Sequence, residues 1–402
     1  MSNTIRRGRL FVAACAGMAL FGMSLATPGT VLGFPEVRER LHMGVQQQGL
    51  ITSLLLTGVW ISTLVVGPVI DRFGNKVVLA TSAVLAAAGF GAFLAAPSFN
   101  PLAAASVIIG LGAGGFNTAA NAVVSALYEE KRAAMLNVLG IFFGGGAFLL
   151  PTIAAHRSPQ AATVFALGFA AVCAVAYMVL KFPPAAEAHS FSLRGALKVI
   201  TYPGVLLFAA VMFCESANEQ TMNSFTSTWL GAAGATATRA AILYSMYHLS
   251  MSLGRVAAVP LLARFSKRTL VLASAAGSVC GTLLLAESAT SAGPSPVVMG
   301  VGVVVTAVSF AAIYPTLLAV AGERYQRFAG TVFGMLFSIA MLGAIIAPSA
   351  VGVIANRHSN VLAGTVVPVI GTAMVLIFAA LVTRKPREHG TAVEPTYEQM
   401  NG

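Results

Sequence analysis

Apolar runs of about twenty residues recur from Leu10 to Val382, separated by short basic or polar stretches. At about 1.5 Å of rise per residue, such a run spans the hydrocarbon core of a bilayer. The pattern predicts twelve membrane helices, at residues 10–32, 46–69, 76–96, 101–127, 134–155, 161–181, 203–229, 239–262, 269–287, 296–320, 329–354 and 361–383. The first run follows Arg6, Arg7 and Arg9 and ends in small residues near Ala26, the outline of a signal peptide. The spans that follow favour a retained first helix instead.

Composition excludes a soluble domain. The chain is 57% hydrophobic and 9% charged, where a soluble domain carries about 25% charged residues. Its net charge of +11 is a topology signal and gives no reason to expect nucleic acid. With the N-terminus inside, only Arg38, Arg40, Arg157, Arg239 and Arg357 fall on the outer side, and Arg255 falls within a span. Every other lysine and arginine then lies at the cytoplasmic side, which puts both termini in the cytoplasm of an inner-membrane protein. Cys15, Cys173, Cys214 and Cys280 sit singly in apolar runs and read as packing residues.

The segment KFPPAAEAHSFSLRGALK divides the chain into an N-terminal six-helix bundle (1–182), a cytoplasmic linker (183–200), a C-terminal six-helix bundle (201–384) and a tail (385–402). The halves echo each other. GPVIDRFGNK at 67–76 corresponds to VPLLARFSKR at 259–268, and GGGAFLLP at 144–151 to MLGAIIAP at 341–348. The expected fold class is an all-α membrane protein of two pseudo-symmetric six-helix bundles around a central pathway, a transporter architecture.

GPVIDRFGNK resembles the Gly-x-x-x-Asp-Arg-x-Gly-x-Lys/Arg loop of the major facilitator superfamily, in its usual place between the second and third helices. A narrower resemblance, to sugar permeases of the fucose-permease branch, runs through NTAANAVVSAL, LNVLGIFFGGGA, FCESANEQTMNSFTSTWL and YPTLLAVAGERYQRFAG. It implies alternating-access transport of a sugar-like solute by a monomer. It also implies that Asp71, Arg72, Gly74 and Lys76 latch the inner gate when the inner side closes. The other reading of that loop is purely topogenic. In the second-half copy Ala263 replaces the acid and Ser266 the glycine, so any latch there is weaker.

The departures matter as much. The branch has an acid associated with proton coupling where this chain has Asn117. A second acid, expected in the first helix, is missing from ATPGTVLGFP, where Thr30 stands near its place. In the fifth span Gly140 and Phe143 occupy positions that are polar in the relative. Neither L-fucose specificity nor the familiar proton site carries over. Asn117 and Asn121 share a helix face and either bind a polyhydroxylated solute or bridge helices. Asn137 of LNVLGIFF is placed along the same pathway.

Only Glu215 and Glu219, in FCESANEQTMNS, are acids placed within the bilayer. If the seventh helix enters near Tyr202, Glu215 lies somewhat past the midplane and Glu219 approaches the outer third. Spaced by four residues, they share a face with Asn223. Two such carboxylates in low dielectric repel each other when both are ionised, which suits the pair to holding a proton. Carboxylates also accept hydroxyl groups of a sugar. The bland alternative is a helix end wetted by an outer vestibule. Intramembrane acids are by default functional, so the pair is taken as the candidate for binding and coupling.

Candidate partners are Tyr244, Tyr247, His248 and Arg255 in the eighth span. His248 either shuttles protons or packs. Arg255 either neutralises a glutamate or snorkels. Aromatic candidates for stacking on a sugar are Trp60, Phe142 and Tyr314, the last beside Pro315 in a span expected to be broken. Trp229 reads as an anchor at the outer interface. The sequence has no phosphate-cradling loop, metal-ligand cluster or nucleophile–base pair, so neither an enzyme, a cofactor nor a metal is expected. Rival readings are an exporter of amphipathic drugs or metabolites, an uncoupled facilitator, and a non-transporting receptor. A sodium site is less favoured than protons.

Overall fold

In lipid each backbone N–H must find its acceptor within its own segment, so apolar runs of this length fold as helices. The computed structural model describes residues 2–128, 130–182, 203–290, 295–325 and 329–383, and among these there is no strand. The expected linker (183–200) and tail (385–402) lie outside the described residues.

The helices are α1 (Ser2–Val31), α2 (Pro35–Arg40), α3 (Val45–Ala95), α4 (Phe99–Leu127), α5 (Arg132–His156) and α6 (Pro159–Val179). The second half has α7 (Pro203–Ala232), α8 (Ala237–Arg264), α9 (Lys267–Thr290), α10 (Pro296–Arg324), α11 (Ala329–Arg357), a 3-10 turn (Val361–Thr365) and α12 (Val366–Val382). Spans two and three, expected as separate helices, are the two helical arms of α3, which meet at a non-helical Gly74. The 51 residues of α3 make about 76 Å of helix, enough for two crossings. The chain turns back at Gly74, whose φ of 80° and ψ of 166° lie where a side chain is strained. α10, by contrast, is continuous through Pro315 and not broken as expected. Proline removes one backbone donor, and neighbouring helices hold the segment straight enough to keep the ladder.

Nine of the described helices are long and apolar enough to cross a membrane, with α3 long enough to do so twice. α7 and α8 match them in length, at 30 and 28 residues, but carry more polar side chains. Adding these two, and counting α3 twice, gives twelve crossings. The two long helices outside that set of nine are thus the two that carry the candidate acids and their partners.

Each half has its own apolar core. One runs from Leu10 to Tyr177, joined by Ala241 and Ala344 of the second half, and the other from Val205 to Val382. Trp229 belongs to the second core: it is fully buried, and its indole N–H donates to Val361 O at 3.1 Å. A ring with its polar edge bonded inside the bundle gains nothing from the lipid interface, so it is no anchor. Cys15, Cys173 and Cys214 are buried and Cys280 is exposed, all as free thiols.

The helix pairs that join the halves include α3 with α11, α5 with α8, α1 with α7 and, more narrowly, α3 with α7. The face that carries the Gly74 bend and the α4–α5 and α8–α9 turns is called the basic face below. Among the described residues every hydrogen bond between the halves lies towards the opposite face. Gln48 Nε2 on α3 donates to Ser224 O at 2.7 Å and to Thr228 Oγ1 at 2.8 Å on α7. Thr52 and Ser224 hydroxyls meet at 2.6 Å, Ser53 and Ser349 hydroxyls at 2.8 Å, and Thr152 donates to Ser245 at 3.1 Å. Arg38 on α2 caps this layer, bonding Leu32 O and Thr228 Oγ1. Gly29 lets α1 touch α7 there, because a Cβ at Gly29 would sit 1.9 Å from Asn223 O. Towards the basic face, Ile141 and Phe142 on α5 and Val256 and Val259 on α8 are exposed. The halves are closed on one side and parted on the other.

Candidate functional site

α7 turns a line of polar side chains into the bundle. Counted from Pro203, Glu215 and Glu219 lie about 18 Å and 24 Å along a helix of about 44 Å, one on either side of its middle. Glu215 is 1% exposed and neither carboxylate oxygen has a hydrogen-bond partner; Glu219 is half-buried. The Gln48–Ser224–Thr228 layer closes the opposite face above them. The wetted outer vestibule is therefore not found.

α8 supplies the facing wall. Tyr244, Tyr247 and His248 are buried as a ring cluster, with His248 centred 4.8 Å from Tyr244 and 5.2 Å from Tyr247. Both phenol hydroxyls and His248 Nε2 lack hydrogen-bond partners. Buried polar groups are almost always paired, so this group of unpaired atoms beside two acids marks a place built to meet a polar guest. Arg255, two turns on, reaches Met251 Sδ at 3.6 Å and lies 5.9 Å from the Phe143 ring centroid. Glu219 is within electrostatic reach of Arg255, Tyr247 and, on α10, Tyr314. Tyr314 is half-buried.

The other expected residues divide. Asn223 is buried one turn beyond Glu219, with its side-chain carbonyl unpaired. Asn121 donates to Asn117 O at 2.7 Å and to Asn117 Oδ1 at 3.1 Å. That pair is bonded along α4 and not across to another helix, and it sits nearer the basic face. Asn137 is exposed in the first turns of α5. Phe142 is 42% exposed, and its neighbour Phe143 takes the inward place, packed on Phe21 at 5.2 Å. Trp60 is half-buried with its indole N–H unpaired. Asp71 and Arg72 are exposed, Lys76 is half-buried, and Arg72 lies over the Phe73 ring. None of the three forms an ion pair; among the described residues the ion pair found is Lys267 with Glu323, in the second-half copy of that loop.

Sequence reasoning missed Gln48, and it named Phe143 only as an apolar replacement while offering Phe142 as the ring for the solute. FF carries no mark of which ring turns inward. Gln48 closes a QQQ run at a helix start, which reads as helix-end polarity. Among the described residues no cluster of three or more metal-ligating side chains occurs.

The family model described as Major Facilitator Superfamily matches residues 10–348, and again 208–396. The chain belongs to this superfamily. Membership agrees with the expectation of a transporter and not an enzyme. The putative metabolite transport protein YncC of Bacillus subtilis (strain 168) is 30% identical over 142 residues, 35% of this chain and 30% of that protein. A D-xylose transporter of Levilactobacillus brevis is 26% identical over 126 residues, 31% of this chain and 26% of that protein. The chain thus spans under a third of the length of either curated relative it matches. Among solved structures, the nucleoside transporter NupG aligns with a TM-score of 0.77 at 14% identity, over 94% of this chain and 98% of that one. A D-xylose-proton symporter gives 0.75 at 15%, over 92% and 97%. FucP, the E. coli fucose:proton symporter, in the outward conformation gives 0.62 at 20%, over 93% and 99%. At these identities the structures establish the shared fold.

Proposed function

We propose that the chain is a secondary transporter that moves a sugar-like solute across the cytoplasmic membrane by alternating access, coupled to protons through Glu215 and Glu219. Both termini are inside, so the basic face is the cytoplasmic one, and residues 1–182 and 201–384 are the two moving bundles. The protein works as a monomer in the bilayer.

The observation that carries this reading is the acid pair at the middle of α7, faced by unpaired phenol and imidazole groups and sealed from one side only. Such a site is open to the cytoplasm in the state described and reaches the other side when the halves rock. The relatives named for D-xylose, and the like-folded fucose and nucleoside carriers, support a solute rich in hydroxyl groups. Asn117, Asn121 and Asn137 line the approach from the basic face, and Asn223 and Tyr314 the site. Asp71, Arg72, Gly74 and Lys76 latch the inner gate in the other state, which accords with the absence of an Asp71 ion pair here.

One observation favours a second reading, export of amphipathic compounds: the α5 side of the pathway offers the apolar Phe143 and Gly140. The test is counterflow in proteoliposomes with a panel of pentoses, hexoses, sugar acids and hydrophobic cations. Exchange confined to sugar-like solutes is expected. Exchange confined to hydrophobic cations would replace the first reading by the second, and no exchange at all would remove both.

A further inference from the structure

We propose that the solute carries a carboxylate, so that it is a sugar acid and not a neutral sugar, and that Arg255 is the residue that anchors it. The proposal rests on the transport reading and narrows its substrate. Arg255 is the cation set well inside a span, nine residues before the end of α8. Its guanidinium is half-buried, meets only the Met251 thioether and the Phe143 ring, and forms no ion pair. A thioether and a ring face engage little of a group with five N–H donors in a planar fork. That fork matches a carboxylate through two parallel hydrogen bonds. Glu219 lies within electrostatic reach of Arg255 but not in contact. It balances the charge while leaving the donors free.

The rest of the site suits the hydroxyl-bearing remainder of such a solute. Tyr247 hydroxyl and His248 Nε2 are buried without partners, and Tyr314 on α10 lies within electrostatic reach of Glu219. Arg255 also touches Phe143 of the first half from α8 of the second. A carboxylate bound there is held where the two bundles meet, as a solute must be if its binding is to bias their motion.

Proton coupling follows by competition. The groups within electrostatic reach of Glu219 are Glu215 on α7, Tyr247 and Arg255 on α8, and Tyr314 on α10, with His248 packed against Tyr247. When the solute's carboxylate takes the Arg255 fork, Glu219 loses the cation that offset its charge while Glu215 stays close. A hydronium ion on the open side then gives its proton to a carboxylate oxygen of Glu219 and leaves as water. The solute anion and one proton cross together, and no net charge moves.

The test uses the purified full-length chain with D-glucuronate and D-gluconate against D-glucose and D-xylose. The acids are expected to raise the melting temperature and support counterflow, and the neutral sugars to do neither at equal concentration. Arg255→Gln should weaken acid binding at least roughly ten-fold, and Arg255→Lys, which keeps the charge but not the fork, should fall between. Melting of the unliganded variants reports whether they fold. Glu219→Gln should keep exchange of the acid and lose accumulation driven by a pH gradient. Counterflow of neutral sugars undiminished in Arg255→Gln would overturn the acid assignment and leave the transport reading standing. No counterflow with either class would overturn both.

Discussion

At Gly29 a missing side chain decides how close two helices come. A Cβ there would lie 1.9 Å from a backbone carbonyl, Asn223 O, and a carbonyl held in a helix ladder cannot swing aside. Gly29→Val must therefore part α1 from α7 and weaken the closed side. Ser227, buried behind this contact, gives the readout. A cysteine placed by Ser227→Cys should react with a membrane-impermeant thiol reagent roughly ten-fold faster when Gly29→Val is added. Equal rates would show that the contact does not hold the gate. Such a role was not legible in ATPGTVLGFP, where Gly29 read as one small residue among several. What was legible at this scale was chemistry that is rare in lipid: Glu215, Glu219, His248 and Arg255 stood out because a charge inside a span is costly. Phe142 and Phe143 did not separate, because a helix apolar on all sides has no periodicity to say which ring faces in.

The same logic applies to elements. α3 is two helical arms joined at Gly74, whose φ of 80° and ψ of 166° would cost about 1–3 kcal/mol for a residue with a Cβ. Gly74→Ala should therefore lower the melting temperature of the purified protein by several degrees, since a strained bend is paid for in native stability. An unchanged melting curve would mean that the bend relaxes freely. The hydropathy pattern located both crossings of α3 and the break between them, which contains Gly74, but that glycine was read only as part of a motif. α3 also pairs with α11 across the halves, with Ser53 and Ser349 hydroxyls 2.8 Å apart. The double substitution Ser53→Cys with Ser349→Cys should form a disulfide on mild oxidation. Transport should then stop, and reduction should restore it. Continued transport by the oxidised form would mean that α3 and α11 do not separate on this side during the cycle.

For the molecule as a whole, the closed side is held by polar bonds and helix contacts. Hydrogen bonds between membrane helices contribute about 0.6 kcal/mol each, so the set around Gln48, Thr52, Ser53 and Thr152 supplies a few kcal/mol in all. A bias of that size populates one state strongly yet remains within the differential binding energy of a ligand. The twelve crossings and the internal repeat were legible in sequence, because lipid imposes length and apolarity. The state was not, because closure depends on which hydroxyls and amides meet, and Ser, Thr and Gln occur all along these helices. Asp71 supplies the test at this scale. Its carboxylate is exposed and without an ion pair while the basic side is parted, so any latch it makes belongs to the opposite state. Asp71→Asn should leave solute binding from the basic side and the melting temperature unchanged, because no contact of the present state is lost. It should slow net uptake by roughly ten-fold, the effect of removing a coupling of 1–3 kcal/mol from one state only. Wild-type uptake in Asp71→Asn would reduce the GPVIDRFGNK loop to a topogenic role, and weakened binding at the basic side would place Asp71 in the substrate path instead.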